Sequence, residues 1–201
     1  GAEPAGGEVG DVTLEKRRQH LTRAVELMRG SGDSFALGGS SGGTVGVDYF
    51  EPKLRVLEMQ CELRDSLSKA ARRAGELGLP EVEVADPRRK SESLSKSLLD
   101  LTDLYNDYAF PDQFWGLCLE MLHLAKYSDP LTIQDLWDKH LGSAATSGEL
   151  EGSNLAAACE CAVGLGKKFW PNDALLPLQH VAGRLDEVAA VDARMAGALQ
   201  C

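Results

Sequence analysis

The stretch from Leu94 to Pro130, LSKSLLDLTDLYNDYAFPDQFWGLCLEMLHLAKYSDP, decides the fold class of this chain. Proline lacks the N–H that an interior helical position needs, and it disfavours α geometry in the preceding residue. Phe110-Pro111 therefore marks a corner. Apolar residues recur at helical spacing before this corner, at Leu94, Leu98, Leu101, Tyr105 and Tyr108, and again after it, at Phe114, Leu117, Cys118, Met121, Leu122 and Ala125. The pattern predicts a helix, a tight corner and a second helix at the centre of the core.

The same periodicity predicts five more helices. Asp11 or Thr13 can cap the first of them, and Thr132-x-x-Asp135 resembles a capping box with Gly142 at the other end of that helix. A helix of about 28 residues is about 42 Å long, which favours an elongated stack over a compact bundle. The predicted helices run approximately from Thr13 to Gly30, Val47 to Leu77, Thr132 to Leu141, Leu155 to Phe169 and Asn172 to Ala189.

The predicted organisation is one all-α segment over residues 1–201, an irregular α-solenoid of about seven stacked antiparallel helices. Gly- and Ser-rich residues 30–47 cannot offset the entropy of ordering, so they are expected to form a flexible loop. Residues 79–93 are polar and are interpreted as a connector, and residues 143–152 as a third loop. The alternation of Val82 and Val84 is too short to predict a strand.

The composition excludes several classes of protein. The net charge is −10 at pH 7, so nucleic acid is not an expected partner, because phosphate binding needs a surplus of Lys and Arg. Five scattered cysteines, an odd number, fit buried thiols in a reducing compartment. The apolar stretch Leu155 to Leu165 is shorter than the ~20 residues that a membrane-spanning helix requires. Because the sequence begins with Gly rather than Met, we expect it to be part of a longer chain.

Histidine and cysteine are the candidate metal ligands, but their spacing is unfavourable. Cys159 and Cys161 would point about 200° apart around a helix, so they cannot hold one zinc ion, and we interpret them as packing residues. Four histidines lie on separate predicted helices without a suitable ligand one turn away, and each is interpreted as a helix-surface side chain: His20, His123, His140 and His180.

The motifs of common enzymes are also missing from the sequence. Gly166-Lys167 fails the phosphate-loop pattern because Cys161 and Lys168 occupy the required Gly and Ser/Thr positions. The sequence contains no G-x-S-x-G, no H-E-x-x-H and no Gly-rich dinucleotide motif. It therefore predicts no catalytic, cofactor-binding or metal-binding residue and no cofactor.

The three tryptophans allow two interpretations, because Trp anchors both cores and interfaces. Trp115 and Trp137 lie on the apolar arcs of their helices and are predicted to be core residues. Trp170 stands at a helix end before Pro171. It is either a further core residue or part of the floor of a groove that accepts a short peptide.

The segment Leu104–Pro130 resembles the C-terminal α-helical region of the large inner-ring scaffold nucleoporins, the nucleoporin-155/170 class. The resemblance extends to Asn172–Leu178, which reads NDALLPL, and to the stretches Arg17–Arg29 and Leu54–Arg64. It implies the C-terminal solenoid of a nuclear pore complex component at the nuclear envelope, which supports transport of protein and RNA between nucleus and cytoplasm. Implied partners are other nucleoporins, including linker nucleoporins with short peptide motifs. Membrane contact is implied only for a propeller that this sequence does not contain.

Three hypotheses about function follow. The first is a non-enzymatic scaffold of the nuclear pore inner ring, which agrees with the helical periodicity and with the resemblance. The second is a vesicle-coat or adaptor scaffold, which would show the same periodicity. The third is an enzyme that uses the scattered His, Cys and Glu side chains, and the motif search gives it the least support.

Overall fold

The computed structural model describes residues 12–30, 47–146 and 154–198. Within these ranges the regular structure is helical and contains no strand. Residues 31–46, nearly all of the predicted loop 30–47, lie outside the described ranges. The helices are α1 Leu14–Gly30, α2 Val47–Glu76, α3 Glu81–Lys96, α4 Leu101–Asp103 with a π-helix over Leu104–Ala109, α5 Trp115–Leu124, α6 Pro130–Thr146, α7 Asn154–Phe169 and α8 Leu178–Ala198.

The chain divides into two compact units, Gly1–Asp100 and Leu101–Cys201. The single continuous segment over residues 1–201 stays a prediction. Among the described residues, none of the helices combines the length and apolar character needed to cross a membrane.

In the first unit, α1 packs on α2. The Thr13 hydroxyl accepts a hydrogen bond from the N–H of Lys16 at 3.4 Å, which confirms it as the cap of α1. Leu14 of α1 is buried against Leu57 and Cys61 of α2. The predicted bounds of both helices are correct to within one residue, because each carries a regular apolar stripe and α2 is followed by Gly78 at a φ of 68°.

The prediction of a polar connector over residues 79–93 is wrong, because α3 occupies most of it. The helix buries only Leu94 and has no apolar stripe that would reveal it in the sequence. Asp86 pairs with Arg89 at 2.7 Å and with Lys90 at 3.2 Å, one turn further on. Ser91 also donates a hydrogen bond to the backbone carbonyl of Arg64 on α2 at 3.0 Å. The helix is therefore held by ion pairs and by α2.

The predicted helix through Leu94 and Tyr108 is also wrong, because the chain leaves helical geometry between α3 and α4. Ser97 is extended, with φ −137° and ψ 155°. The fully buried Gln60 of α2 supplies the hydrogen bonds that the broken helix loses. Its Nε2 donates to the carbonyls of Leu94 and Ser97, both at 2.7 Å, and its Oε1 accepts from the N–H of Leu99 at 3.1 Å.

In the second unit, α5 packs on α6, α6 on α7, and α8 on both α6 and α7. Trp137 of α6 is fully buried, as predicted. Its indole N–H donates to the backbone carbonyl of Leu175 at 2.8 Å, and its ring meets Phe169 of α7 edge to face at 6.4 Å. The core of this unit therefore centres on α6 rather than on the corner at Pro111.

Two helix boundaries in this unit differ from the prediction. The α6 helix begins at Pro130, because Asp129 accepts a hydrogen bond from the N–H of Thr132 at 2.8 Å. It then passes Gly142 and continues to Thr146, so the first residues of the predicted loop 143–152 are helical, and the remaining ones lie outside the described ranges.

The α8 helix begins at Leu178 instead of Asn172. Pro177 disfavours helical geometry in Leu176, and the Asn172 side chain accepts a hydrogen bond from the N–H of Ala174 at 3.1 Å in a turn. Leu178, the first residue of α8, is exposed, and Val181 is buried.

Candidate docking site

Three aromatic side chains on either side of the corner at Pro111 form a partly exposed group, called here the aromatic cluster: Tyr105, Phe110 and Trp115. The Tyr105 and Phe110 rings lie 5.7 Å apart, and the Phe110 and Trp115 rings meet edge to face at 5.4 Å. Phe110 is 40% exposed. Large apolar rings that remain accessible are typical anchors of protein interfaces.

The π-helix places these rings together. The N–H of Phe110 donates to the carbonyl of Tyr105 at 2.9 Å, and the N–H of Phe114 donates to that of Ala109, also at 2.9 Å. Both bonds join residues five apart, so each turn is one residue wider than an α-turn. The wider turn brings Tyr105 and Phe110 to the same face. No periodicity signal in the sequence predicts a π-helix, which is why the cluster was not predicted.

The α6 helix supports the cluster from below. The Lys139 ammonium lies 5.2 Å from the centroids of both Phe110 and Trp115, and it pairs with Asp135 at 2.6 Å. The α5 and α6 helices approach closely at Gly116 of α5, since a Cβ at this position would lie 3.1 Å from the His140 ring of α6. Glycine at this position therefore brings α5 near enough to α6 for the lysine to reach both rings.

An apolar groove lies beside the cluster. One of its walls is formed by α4 and the π-helix, and the other by α5. Its volume is about 180 Å³, which suits one side chain better than a small-molecule ligand. Tyr105 belongs to both the groove and the cluster, and burial is the main cause of its raised pKa. The groove is lined by Leu101, Thr102, Tyr105, Asn106, Met121, Leu122 and Ala125.

Neither of the other two tryptophans is buried in the core. Trp115 is only half-buried, so its placement in the core is wrong; its ring meets Phe110 edge to face and lies 5.2 Å from the Lys139 ammonium. Trp170 is 66% exposed, so it is not a core residue, and it does not line the groove beside Tyr105.

The histidines lie apart from one another, and two of them are surface residues. His20 and His123 are exposed, as predicted. His140 is half-buried against Gly116, and burial lowers its pKa, so the surface interpretation is wrong for this residue. His180 of α8 is half-buried with its Nε2 2.7 Å from the Asp138 carboxylate of α6, which joins these two helices.

The buried ionisable and thiol groups also serve packing. Glu120 of α5 is 5% exposed, and Lys168 of α7 approaches it at 2.5 Å. Burial raises the pKa of the Cys118 thiol to about 12, which keeps it protonated and unreactive. Cys159 and Cys161 are half-buried. Throughout the described ranges, no three His, Cys, Asp or Glu side chains are grouped as metal ligands.

Over the ranges that the structure describes, the chain is helical and carries a partly exposed aromatic surface that can contact another side chain. The chain belongs to the nucleoporin C-terminal family, described as non-repetitive, WGA-negative nucleoporin C-terminal, whose family model matches residues 5–190. The resemblance to the nucleoporin-155/170 class is confirmed by this match and by the relatives that follow.

Two curated relatives have related sequences. The nuclear pore complex protein Nup154 of Drosophila melanogaster is 27% identical over 133 residues, which covers 66% of this chain and 9% of Nup154. Nucleoporin NUP170 of Chaetomium thermophilum is 44% identical over 62 residues, covering 27% of this chain and 4% of NUP170. The chain therefore spans less than a tenth of the length of either relative.

Solved structures of Chaetomium thermophilum Nup170 share the fold. The segment named Nup170 SOL matches with a TM-score of 0.70 at 18% identity, over 93% of this chain and 25% of its own. The Nup170 C-terminal domain matches with a TM-score of 0.69 at 17% identity, over 92% and 36%. A complex of that domain with Nup145N matches with a TM-score of 0.64 at 20% identity, over 87% and 34%. The predicted fold class, an all-α arrangement of the solenoid type, is confirmed.

Proposed function

We propose that this chain is a scaffold segment of the inner ring of the nuclear pore complex, where it docks other nucleoporins and supports nucleocytoplasmic transport. Membership of the nucleoporin C-terminal family is the observation that carries the proposal. The complex of the Chaetomium thermophilum Nup170 C-terminal domain with Nup145N supports docking as the mode of action. The chain then acts at the nuclear envelope, as the C-terminal part of a longer nucleoporin.

The role is non-enzymatic. Two ion pairs of the second unit that involve buried or half-buried groups join helices: Glu120 to Lys168, and Asp138 to His180. A catalytic site would instead direct such groups into a cleft. The accessible aromatic cluster fits recognition of a partner side chain, which is what docking requires.

Two measurements test the proposal. Purified linker nucleoporins are titrated into the 201-residue chain in solution, and binding is measured by calorimetry; in cells, a fluorescent fusion is imaged. We expect binding to at least one nucleoporin and a signal at the nuclear rim. A fusion found on cytoplasmic vesicles, with no nucleoporin bound, would favour a vesicle-coat or adaptor scaffold instead.

A further inference from the structure

The aromatic cluster and the groove beside Tyr105 form one continuous surface. Tyr105 lines the groove, and its ring also lies 5.7 Å from that of the exposed Phe110, so the groove and the cluster meet at Tyr105. The remaining walls of the groove are mostly aliphatic, and Thr102 and Asn106 supply its polar residues. The surface therefore suits a ligand with one apolar anchor and a backbone or flank that reaches polar groups at the edge.

This surface is already ordered before a ligand arrives. Ring contacts join Tyr105, Phe110 and Trp115, and Lys139 is held under two of the rings by Asp135. Aromatic rings have few rotatable bonds, and rings that are already packed lose little further entropy on binding. A short peptide can therefore bind here without refolding the site.

The charge around this surface is negative, because Lys139, which lies against two of its rings, is already paired with Asp135. From Leu101 to Leu124, the sequence has four acidic residues and no Lys or Arg, although Glu120 is buried against Lys168 and does not contribute at the surface. Asp103 and Asp107 are exposed on the helical segment that forms one wall of the groove. Such a field attracts basic ligands and repels acidic ones.

We infer that the aromatic cluster and its groove bind a short peptide segment that carries an apolar anchor flanked by Lys or Arg. The inference rests on the proposed docking function and specifies the chemistry of the partner. The anchor fills the groove beside Tyr105 and contacts Phe110, and the flanking cations lie near Asp103 and Asp107. An acidic peptide with the same anchor is excluded by the negative field.

A peptide-display selection against the immobilised 201-residue chain tests the partner chemistry. Random twelve-residue peptides are selected, and the enriched sequences are then synthesised and measured by fluorescence anisotropy. We expect enrichment of Phe, Trp, Leu or Met next to Lys or Arg. Affinity should fall when salt rises from about 50 mM to about 300 mM, because the charges are at the surface. Enrichment of acidic peptides, or of none, overturns the inference.

Four variants locate the binding surface. Phe110→Ala should weaken the selected peptides by about tenfold, since a central aromatic contact is lost. Asp107→Lys should weaken them by about fivefold and reduce the salt dependence. Asp186→Lys on α8 is the matched control, because it makes the same charge change at an exposed position outside the groove, and Trp170→Ala removes an exposed ring elsewhere. Both controls should bind as the parent does.

The outcomes separate this inference from the proposed function. Unchanged binding by Asp107→Lys, which is exposed and does not threaten folding, places the peptides elsewhere and overturns the inference. Weakened binding by Trp170→Ala or Asp186→Lys also contradicts it. If a Phe110→Ala and Asp107→Lys double variant still binds full-length nucleoporins normally, docking stands and the surface is wrong. If the selected peptides bind here but no nucleoporin does, the scaffold function fails instead.

Discussion

Replacing Gln60 with Met tests how the break between α3 and α4 is stabilised. Methionine has nearly the same length and volume, so packing in this fully buried position changes little. The substitution removes three hydrogen bonds, to the carbonyls of Leu94 and Ser97 and from the N–H of Leu99. Gln19→Met on α1 is the control, since Gln19 is exposed.

The magnitude follows from where each partner lies. The bond to Leu94 is buried, so its carbonyl is left without this partner at a cost of about 1 to 3 kcal/mol. The bonds to Ser97 and Leu99 are only partly buried, and water replaces them at a cost of about 0.5 to 1 kcal/mol each. We expect Gln60→Met to lower the free energy of unfolding by roughly 2 to 5 kcal/mol.

Urea unfolding followed by circular dichroism is the assay, because it reports the helices of both units. With a typical urea slope, the midpoint of the Gly1–Asp100 unit should fall by about 1 to 2 M. Tryptophan fluorescence reports the other unit, since all three Trp lie beyond Leu101. Amide hydrogen exchange at Leu99 should also become faster. A Gln60→Met chain that unfolds at the parent midpoint would refute the reasoning.

Three further predictions concern the second unit. Gly116→Ala should destabilise the chain by about 1 to 2 kcal/mol, because its Cβ would lie 3.1 Å from the His140 ring. In a double-mutant cycle, His140→Ala should relieve that cost. Additive effects of the two substitutions would contradict the contact. Burial lowers the pKa of His140, so as pH falls the unfolded chain binds a proton at this residue before the folded chain does. Stability is therefore lost as pH falls through about 6.5. The urea midpoints at about pH 7.5 and about pH 5 should differ less in His140→Gln than in the parent. Burial raises the pKa of Cys118 to about 12, so iodoacetamide should modify Cys118 only when urea unfolds the chain, whereas the half-buried Cys159 should be modified more readily. Mass spectrometry of peptides is the measurement, and modification of Cys118 in the folded chain would contradict the prediction.

Some helices are predictable from the sequence because their burial is one-sided. The α1, α2 and α7 helices repeat apolar residues every three or four positions and end at Gly or Pro, so their bounds follow from local chemistry. The α3 helix shows the opposite case. It buries one side chain, and its ion pairs resemble an ordinary solvated segment in the sequence.

The candidate site was largely hidden from the sequence. Tyr105 and Trp115 were predicted to lie on apolar helix faces, but their exposure depends on two features that leave no periodic signal. One is the π-helix, which aligns Tyr105 with Phe110. The other is Lys139, which lies beneath the rings from a different helix and leaves Trp115 at the edge of the core.

The sequence by itself determined that this chain is built from amphipathic helices, that its charge is acidic and that it resembles a scaffold nucleoporin. These properties depend on residues within one or two turns of each other, or on composition alone. Only the tertiary structure decided where the helices break and which aromatic rings stay accessible. Gln60 hydrogen-bonds a backbone carbonyl 34 residues away, and Trp137 one 38 residues away, because folding must satisfy each buried polar group with whichever partner packing brings near.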